Sequence, residues 1–159
     1  MKIRSTGFTV IELTATLAIL SALALAALPL SELIVKRQKE QELRRALWEI
    51  RGAIDAYKRA AEEGKIVLGA SDSGYPPSLD VLSNGVAAAP GRGTDRRLYF
   101  LRRVPRDPFF PDHEVPAAQT WGLRSYLSSP AEPRPGADVF DVYSLSTGVG
   151  LNRVPYRQW

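Results

Sequence analysis

From Leu13 to Ser31 the chain runs for nineteen residues without a charge, mostly Leu and Ala. A run of that length is either a secretory signal or a membrane-spanning helix. Taken from Phe8 to Val35 it covers 28 residues. As a helix that is about 42 Å at ~1.5 Å per residue, against a hydrocarbon core of roughly 30 Å. A secretory signal wants a small-residue cleavage site after the apolar run. Ala26-Ala27-Leu28 offers only a weak one, and Pro29, Glu32 and a long helical pattern follow it rather than a mature N-terminus. A spanning helix fits better, with one misfit. Glu12 sits inside the run, and a carboxylate in a membrane helix costs on the order of 2.5–3.5 kcal/mol. Either it lies at headgroup level or it has a partner. Pro29 removes one backbone hydrogen bond and is expected to kink or loosen the helix locally.

Residues 36–63 hold no proline and a single glycine, Gly52. Leu43, Leu47, Ile50, Ile54, Tyr57 and Ala61 recur at steps of four and three, which makes one apolar stripe along a helix. Arg45 with Glu49, Arg51 with Asp55, Asp55 with Arg59 and Lys58 with Glu62 are opposite charges four apart on the other face. Gly64 is the expected C-terminal cap. The stripe lasts under three heptads, so it is expected to pack on the chain's own C-terminal sheet rather than in a coiled coil.

Eleven of the twelve prolines lie at or after Pro76, which marks the rest of the chain as a loop-rich body. Pro76 to Leu82 reads as the start of a short helix, with Pro77 or Ser78 in its first turn. Residues 98–101 are apolar, and 102–108 turn the chain. Residues 123–128 and 138–146 read as two strands, joined by the Pro-rich segment 129–137 and therefore paired antiparallel. Asp138 and Asp141 are expected on one face of the second strand. Trp121, Tyr126, Tyr143, Tyr156 and Trp159 read as core or rim packing, with the aromatic tail folding back over the sheet. The organisation expected is 1–7 leader, 8–35 transmembrane and assembly helix, 36–64 amphipathic stem, and 65–159 globular body. The fold class is α+β: a long N-terminal helix packed on a small antiparallel sheet.

The chemistry is sparse. Cysteine is absent and His113 is the one histidine, which leaves no thiolate site and little room for a catalytic triad within one chain. Asp107, Asp112, His113 and Glu114 cluster among prolines, where a surface loop is expected. A membrane-anchored enzyme is therefore disfavoured. Residues 36–159 carry 19 basic and 15 acidic side chains, interspersed. That describes a solvated surface rather than a nucleic-acid face.

The N-terminus carries a recognisable pattern. Lys2 and Arg4, then Gly7-Phe8-Thr9-Val10-Ile11-Glu12-Leu13, resemble the class III signal of type IV pilins and type II secretion pseudopilins. The resemblance implies cleavage between Gly7 and Phe8 by a prepilin peptidase, N-methylation of Phe8, and a mature chain of 152 residues. Phe8, Thr9, Glu12 and Pro29 become the assembly residues, with Thr9 supporting the terminus by hydrogen bonding. The cationic amine freed on Phe8 of one subunit would face Glu12 of its neighbour. Each charge would relieve the other's desolvation, setting register more than adding stability. Basic residues flank the run on both sides, Lys36, Arg37 and Lys39 beyond it, so charge alone does not orient the helix. The family implies a cytoplasmic leader, a single inner-membrane pass and a periplasmic body with a pilin-like fold.

The body adds a second likeness. Tyr75-Pro76-Pro77, residues 101–109 (Leu-Arg-Arg-Val-Pro-Arg-Asp-Pro-Phe), Trp121-Gly122 and residues 141–146 (Asp-Val-Tyr-Ser-Leu-Ser) are similar in order to the major pseudopilin, the G type. The implied partners are further copies in a filament, other pseudopilins and an inner-membrane secretion platform, and the implied role is export across the outer membrane. The alternatives are a type IV minor pilin for adhesion or DNA uptake, or a membrane-anchored periplasmic domain. One departure stands out. The G-type loop binds calcium through carboxylates, whereas residues 146–153 here carry none, so no cofactor is expected and calcium is disfavoured.

Overall fold

The apolar stripe is the surface around which the body is built. The computed structural model describes residues 7, 9–69, 72–89 and 97–159, without the side chains of 26–29. Its elements are α1 (Val10–Glu62), α2 (Leu79–Asn84), β1 (Val86–Ala87), β2 (Arg97–Leu98), β3 (Trp121–Arg124) and β4 (Asp141–Ser144), with 3₁₀ turns at Ala117–Thr120 and Tyr156–Gln158. The class is α+β, with a long N-terminal helix. The chain divides into two units, Met1–Gln38 and Lys39–Trp159.

In the second unit the stripe is buried as its spacing predicts. Leu43, Leu47, Ile50, Ile54, Tyr57 and Ala61 are all buried, joined by Ala46, Ala53 and Ala60. Ile66, Leu79, Leu82, Leu101, Trp121, Val139, Val142 and Tyr156 complete the same core. Gly64 ends the helix with φ +63°. There Gly64 N–H donates to Ala61 O at 3.1 Å and Lys65 N–H to Ala60 O at 2.8 Å. Only a residue free to enter the left-handed region closes the helix this way at low cost.

The outer charges depart from expectation. Lys58 and Glu62 pair at 3.5 Å. Arg51 does not turn to Asp55; its Nε donates to Asp141 at 2.8 Å, and its Nη2 to Val142 O at 3.1 Å and Trp159 O at 2.8 Å. A carboxylate fixed on a strand, with two carbonyls beside it, outcompetes a flexible neighbour on the same helix.

The expected single sheet is two separate two-stranded sheets, β1 with β2 and β3 with β4, both antiparallel. The β3–β4 register pairs Trp121 with Ser144 and Leu123 with Val142. β3 begins two residues earlier than predicted and stops at Arg124. Ser125 turns the chain instead of extending it: its N–H donates to Arg134 O at 2.9 Å and its carbonyl accepts from Ser128 N–H at 3.0 Å. The early start is hidden by Gly122, which faces Tyr143 across the ladder. A Cβ there would lie 2.2 Å from the Tyr143 ring, so only glycine admits that ring. Asp138 and Asp141 do not share a strand face. Asp138 precedes β4 and turns inward to Ser125, while Asp141 opens β4 between Arg51 and Arg124.

Candidate functional site

Unit one holds most of the residues singled out by the sequence motif. Helix α1 begins one residue after Thr9, whose Oγ1 accepts from Glu12 N–H at 3.3 Å. Thr9 is therefore the N-cap and Glu12 the third residue of the helix, the spacing of a capping box. The bond expected of Thr9 was to the freed terminus on Phe8, which lies outside the described residues; the Thr-x-x-Glu cap seen instead is a spacing readable in the sequence. Placed in the first turn, the Glu12 carboxylate lies where the helix dipole favours an anion. It is exposed and has no ion-pair partner among the described residues. Gly7 is exposed. Phe8 and the side chain of Pro29 lie outside the described residues.

Past Glu12, Leu13, Leu17, Ile19, Leu20, Leu23, Leu25, Leu30, Leu33, Ile34 and Val35 are all exposed. In water, so wide an apolar surface has no stable resting place. Three hydroxyls among them are satisfied within the helix. Thr14 Oγ1 donates to Ile11 O at 2.9 Å, Thr16 Oγ1 to Leu13 O at 2.9 Å and Ser21 Oγ to Leu17 O at 2.8 Å. Hydroxyls bonded back to their own helix bring no orphan donor into a hydrocarbon medium. This one helix, near the N-terminus, is long and apolar enough to cross a membrane.

Among the described residues of unit two, three carboxylates are buried, Glu40, Asp107 and Asp138, and each is structurally employed. Asp107 was expected in a surface loop with Asp112, His113 and Glu114. The last three are exposed, but Asp107 is 1% exposed. Its Oδ2 accepts from Ser144 Oγ at 2.6 Å and its Oδ1 from Phe109 N–H at 2.8 Å, while its own N–H donates to Thr120 Oγ1 at 3.1 Å. It locks the 105–109 turn onto β4 and the 3₁₀ turn, and its oxygens are occupied. Asp138 is likewise buried. Burial pushes its pKa upward, but hydrogen bonds from the Ser73 and Ser125 hydroxyls and the Tyr126 N–H outweigh that and hold it below the usual carboxylate value.

Glu40 is the residue the sequence reading missed. It is 6% exposed, and its Oε1 accepts from Tyr156 Oη at 2.9 Å and from Leu151 N–H at 2.8 Å. Its position was a usable signal, because it stands three residues before Leu43 and so continues the apolar stripe. Burial, reinforced by the bond to Glu40 and by its negative charge, pushes the Tyr156 hydroxyl up to about 12. The Tyr156 ring stacks on Phe109 at 4.1 Å and meets Trp159 edge-on at 5.1 Å. The aromatic tail thus packs as predicted, Trp121 with it; Tyr126, 56% exposed, is on the rim.

The loop 146–153 is held by the protein's own groups. Gly150 N–H donates to Val154 O at 2.9 Å, Tyr156 N–H to Gly148 O at 3.1 Å, and Val154 N–H to Asn152 Oδ1 at 3.1 Å. Glu40 brings a carboxylate to it, at Leu151 N–H. Among the described residues no three acidic or histidine side chains converge as a metal site would require. An open cleft of about 710 Å³ lies beside Tyr57, Tyr75, Tyr126 and Asp138.

No protein-family model, curated protein or solved structure matches the chain. The functional reading therefore stands on the motif and the geometry.

Proposed function

We propose that this chain is a pseudopilin of a type II secretion system, a pilin-like, non-catalytic subunit that assembles into a periplasmic filament. The observation that carries the reading is the first turn of α1. A Thr9-capped helix start places a Glu12 carboxylate, without an ion-pair partner among the described residues, at the head of an apolar segment whose described large side chains are exposed. Cleavage after Gly7 would put a cationic amine on Phe8. Neighbouring copies, staggered along a filament, would bring that amine to Glu12 and cover the apolar side chains at once. Each contact satisfies a need that a solitary subunit leaves open.

The remaining parts of the reading follow from it. The apolar segment waits in the inner membrane, and the body faces the periplasm. A prepilin peptidase trims and methylates the chain, and a membrane platform adds it to the filament. On this reading the loop 146–153 works without calcium: it carries no carboxylate, and the Glu40 Oε1 and Asn152 Oδ1 oxygens nearby already accept from Leu151 and Val154 N–H.

Mass spectrometry of protein extracted from membranes tests the processing step. The expected product lacks residues 1–7 and carries one added methyl on Phe8. A full-length, unmethylated chain in a host with an active prepilin peptidase would overturn the reading. Glu12→Ala tests the assembly step. It should be trimmed and inserted like the parent, yet assemble only at an about tenfold higher subunit concentration, the equivalent of ~1.4 kcal/mol per added subunit.

A further inference from the structure

Resting on the filament reading, we propose that the body of one copy docks its 111–116 loop into a tryptophan-lined groove on the next. The groove lies in the second unit. It has a volume of about 390 Å³, and Arg44, Trp48, Arg51, Val154, Gln158 and Trp159 are among its lining residues.

Trp48 marks this surface. It sits on the stem of α1 and is 82% exposed. Large aromatic side chains left in water on a regular helix characterise interaction surfaces rather than folding cores. Its helical neighbours are Arg44, Arg45 and Arg51 at offsets of three and four, and Gly52, four residues on. Arg51 is spent on Asp141 and two carbonyl oxygens. Arg44 and Arg45 make no ion pair among the described residues, and the Arg44 guanidinium lies 4.5 Å from the Trp159 ring centroid. Gly52 is exposed and has open space above it, so a partner can approach beside the indole without meeting a side chain. The surface is thus two indoles with two available positive charges.

The same unit carries a segment of complementary chemistry. Residues 111–116 read Pro-Asp-His-Glu-Val-Pro, and Pro111, Asp112, His113, Glu114 and Pro116 are exposed. Neither carboxylate has an ion-pair partner among the described residues. The loop is nonetheless held in shape. Arg106 Nη1 donates to Val115 O at 2.6 Å, Arg106 Nη2 donates to Asp112 O, and Asp112 Oδ1 accepts from Glu114 N–H at 2.9 Å. Little ordering entropy remains to be lost on docking. Proline rings pack in aromatic-lined grooves, and the two carboxylates meet Arg44 and Arg45. The other exposed Pro-rich loop is a poorer occupant, because its Glu132 is already paired with Arg134 at 3.0 Å. Groove and loop are different patches, so the contact is heterologous, and repeated contacts of that kind build open filaments.

The absence of cysteine makes the test clean. Gly52→Cys and His113→Cys in one full-length chain keep Trp48, Asp112 and Glu114 intact. Mild oxidation in membranes of an assembling host should give a ladder of disulfide-linked multimers, and neither single variant should give more than a dimer. In a second arm, Glu114→Arg should lower filament yield about tenfold, and Arg45→Glu in the same chain should restore most of it, the signature of opposite charges meeting across an interface. Filaments that form normally without a ladder, or an unaltered yield from Glu114→Arg, would overturn the docking and leave the filament reading standing. An unaltered parent chain that forms no filament under the same conditions would overturn both.

Discussion

Glu40 occupies a stripe position where an apolar side chain would ordinarily be placed, and its burial is made tolerable by two donors, the Tyr156 hydroxyl and the Leu151 N–H. A buried carboxylate with partners is stable; one that loses a partner is left partly unsatisfied, at a cost of about 1–3 kcal/mol. Tyr156→Phe should therefore destabilise the body by about that much near neutral pH, read by chemical unfolding. The pH dependence has a definite sign. With its pKa raised to about 12 in the fold, Tyr156 keeps its proton where the unfolded tyrosine, ordinarily near 10.0, has lost it. Its contribution is intact below about pH 10 and disappears as pH rises toward 12, a loss on the order of 1–3 kcal/mol. Tyr156→Phe should flatten that alkaline slope. An equally steep slope in the variant would show that another group causes it. Asp138 acts at the other end of the scale. Its pKa is lowered in the fold, so its contribution is present above the ordinary carboxylate value and is lost as pH falls through the folded one. Asp138→Asn should be less stable at neutral pH and lose less on acidification.

At the scale of the elements, α1 shows what a sequence states openly and what it withholds. The stripe from Leu43 to Ala61 and the cap at Gly64 were legible, because periodicity and a glycine at a helix end are local signals. The short helix after Ser78 and the antiparallel pairing of β3 with β4 were legible for the same reason. The strand ends were not. Gly122 looks like a breaker until Tyr143 is seen lying over it, and Ser125 looks like strand until Asp138 takes its hydroxyl at 2.7 Å and the Tyr126 N–H at 3.0 Å. β1 and β2, two residues each, are too short to carry a pattern. Asp107 and Arg51 were misplaced because their partners, Ser144 and Asp141, lie 37 and 90 positions away. In the candidate site, the seven-residue motif singles out Thr9 and Glu12, whereas Glu40 shows in the sequence only as a stripe position three before Leu43, and its partners Tyr156 and Leu151 needed the fold. The Arg51 clamp gives a prediction at this scale. It joins α1 to β4 and to Trp159, so Arg51→Met should cost about 1–2 kcal/mol, less than a buried ion pair because the guanidinium is partly solvated. It should also raise hydrogen exchange in the last residues more than in the stem. Uniform loss across the body would place the clamp's importance elsewhere.

For the whole molecule, the proposed function would have the division into two units separate folding from assembly. Every residue of the buried core lies between Leu43 and Tyr156, inside the second unit. The large apolar side chains described in the first unit are exposed. A chain starting at Lys36, which retains Glu40 and all its partners, should therefore fold without detergent. Its thermal midpoint should lie within about 3–5 °C of the body transition of the full chain, the shift that roughly 1 kcal/mol produces in a domain this size. Adding millimolar calcium should leave that midpoint in place, because the loop 146–153 offers no carboxylate and the nearby Glu40 Oε1 and Asn152 Oδ1 already accept from backbone N–H groups. Binding to the folded state would raise the midpoint in proportion to affinity, by roughly 4 kcal/mol of added stability at a thousandfold excess over the dissociation constant. A clear rise with calcium would mean that the loop rearranges around an ion that its carboxylate-free sequence does not advertise. A midpoint lowered by far more than a few degrees on truncation would mean that the apolar segment serves the fold of its own subunit, and the case for reserving it for neighbouring copies would fall with it.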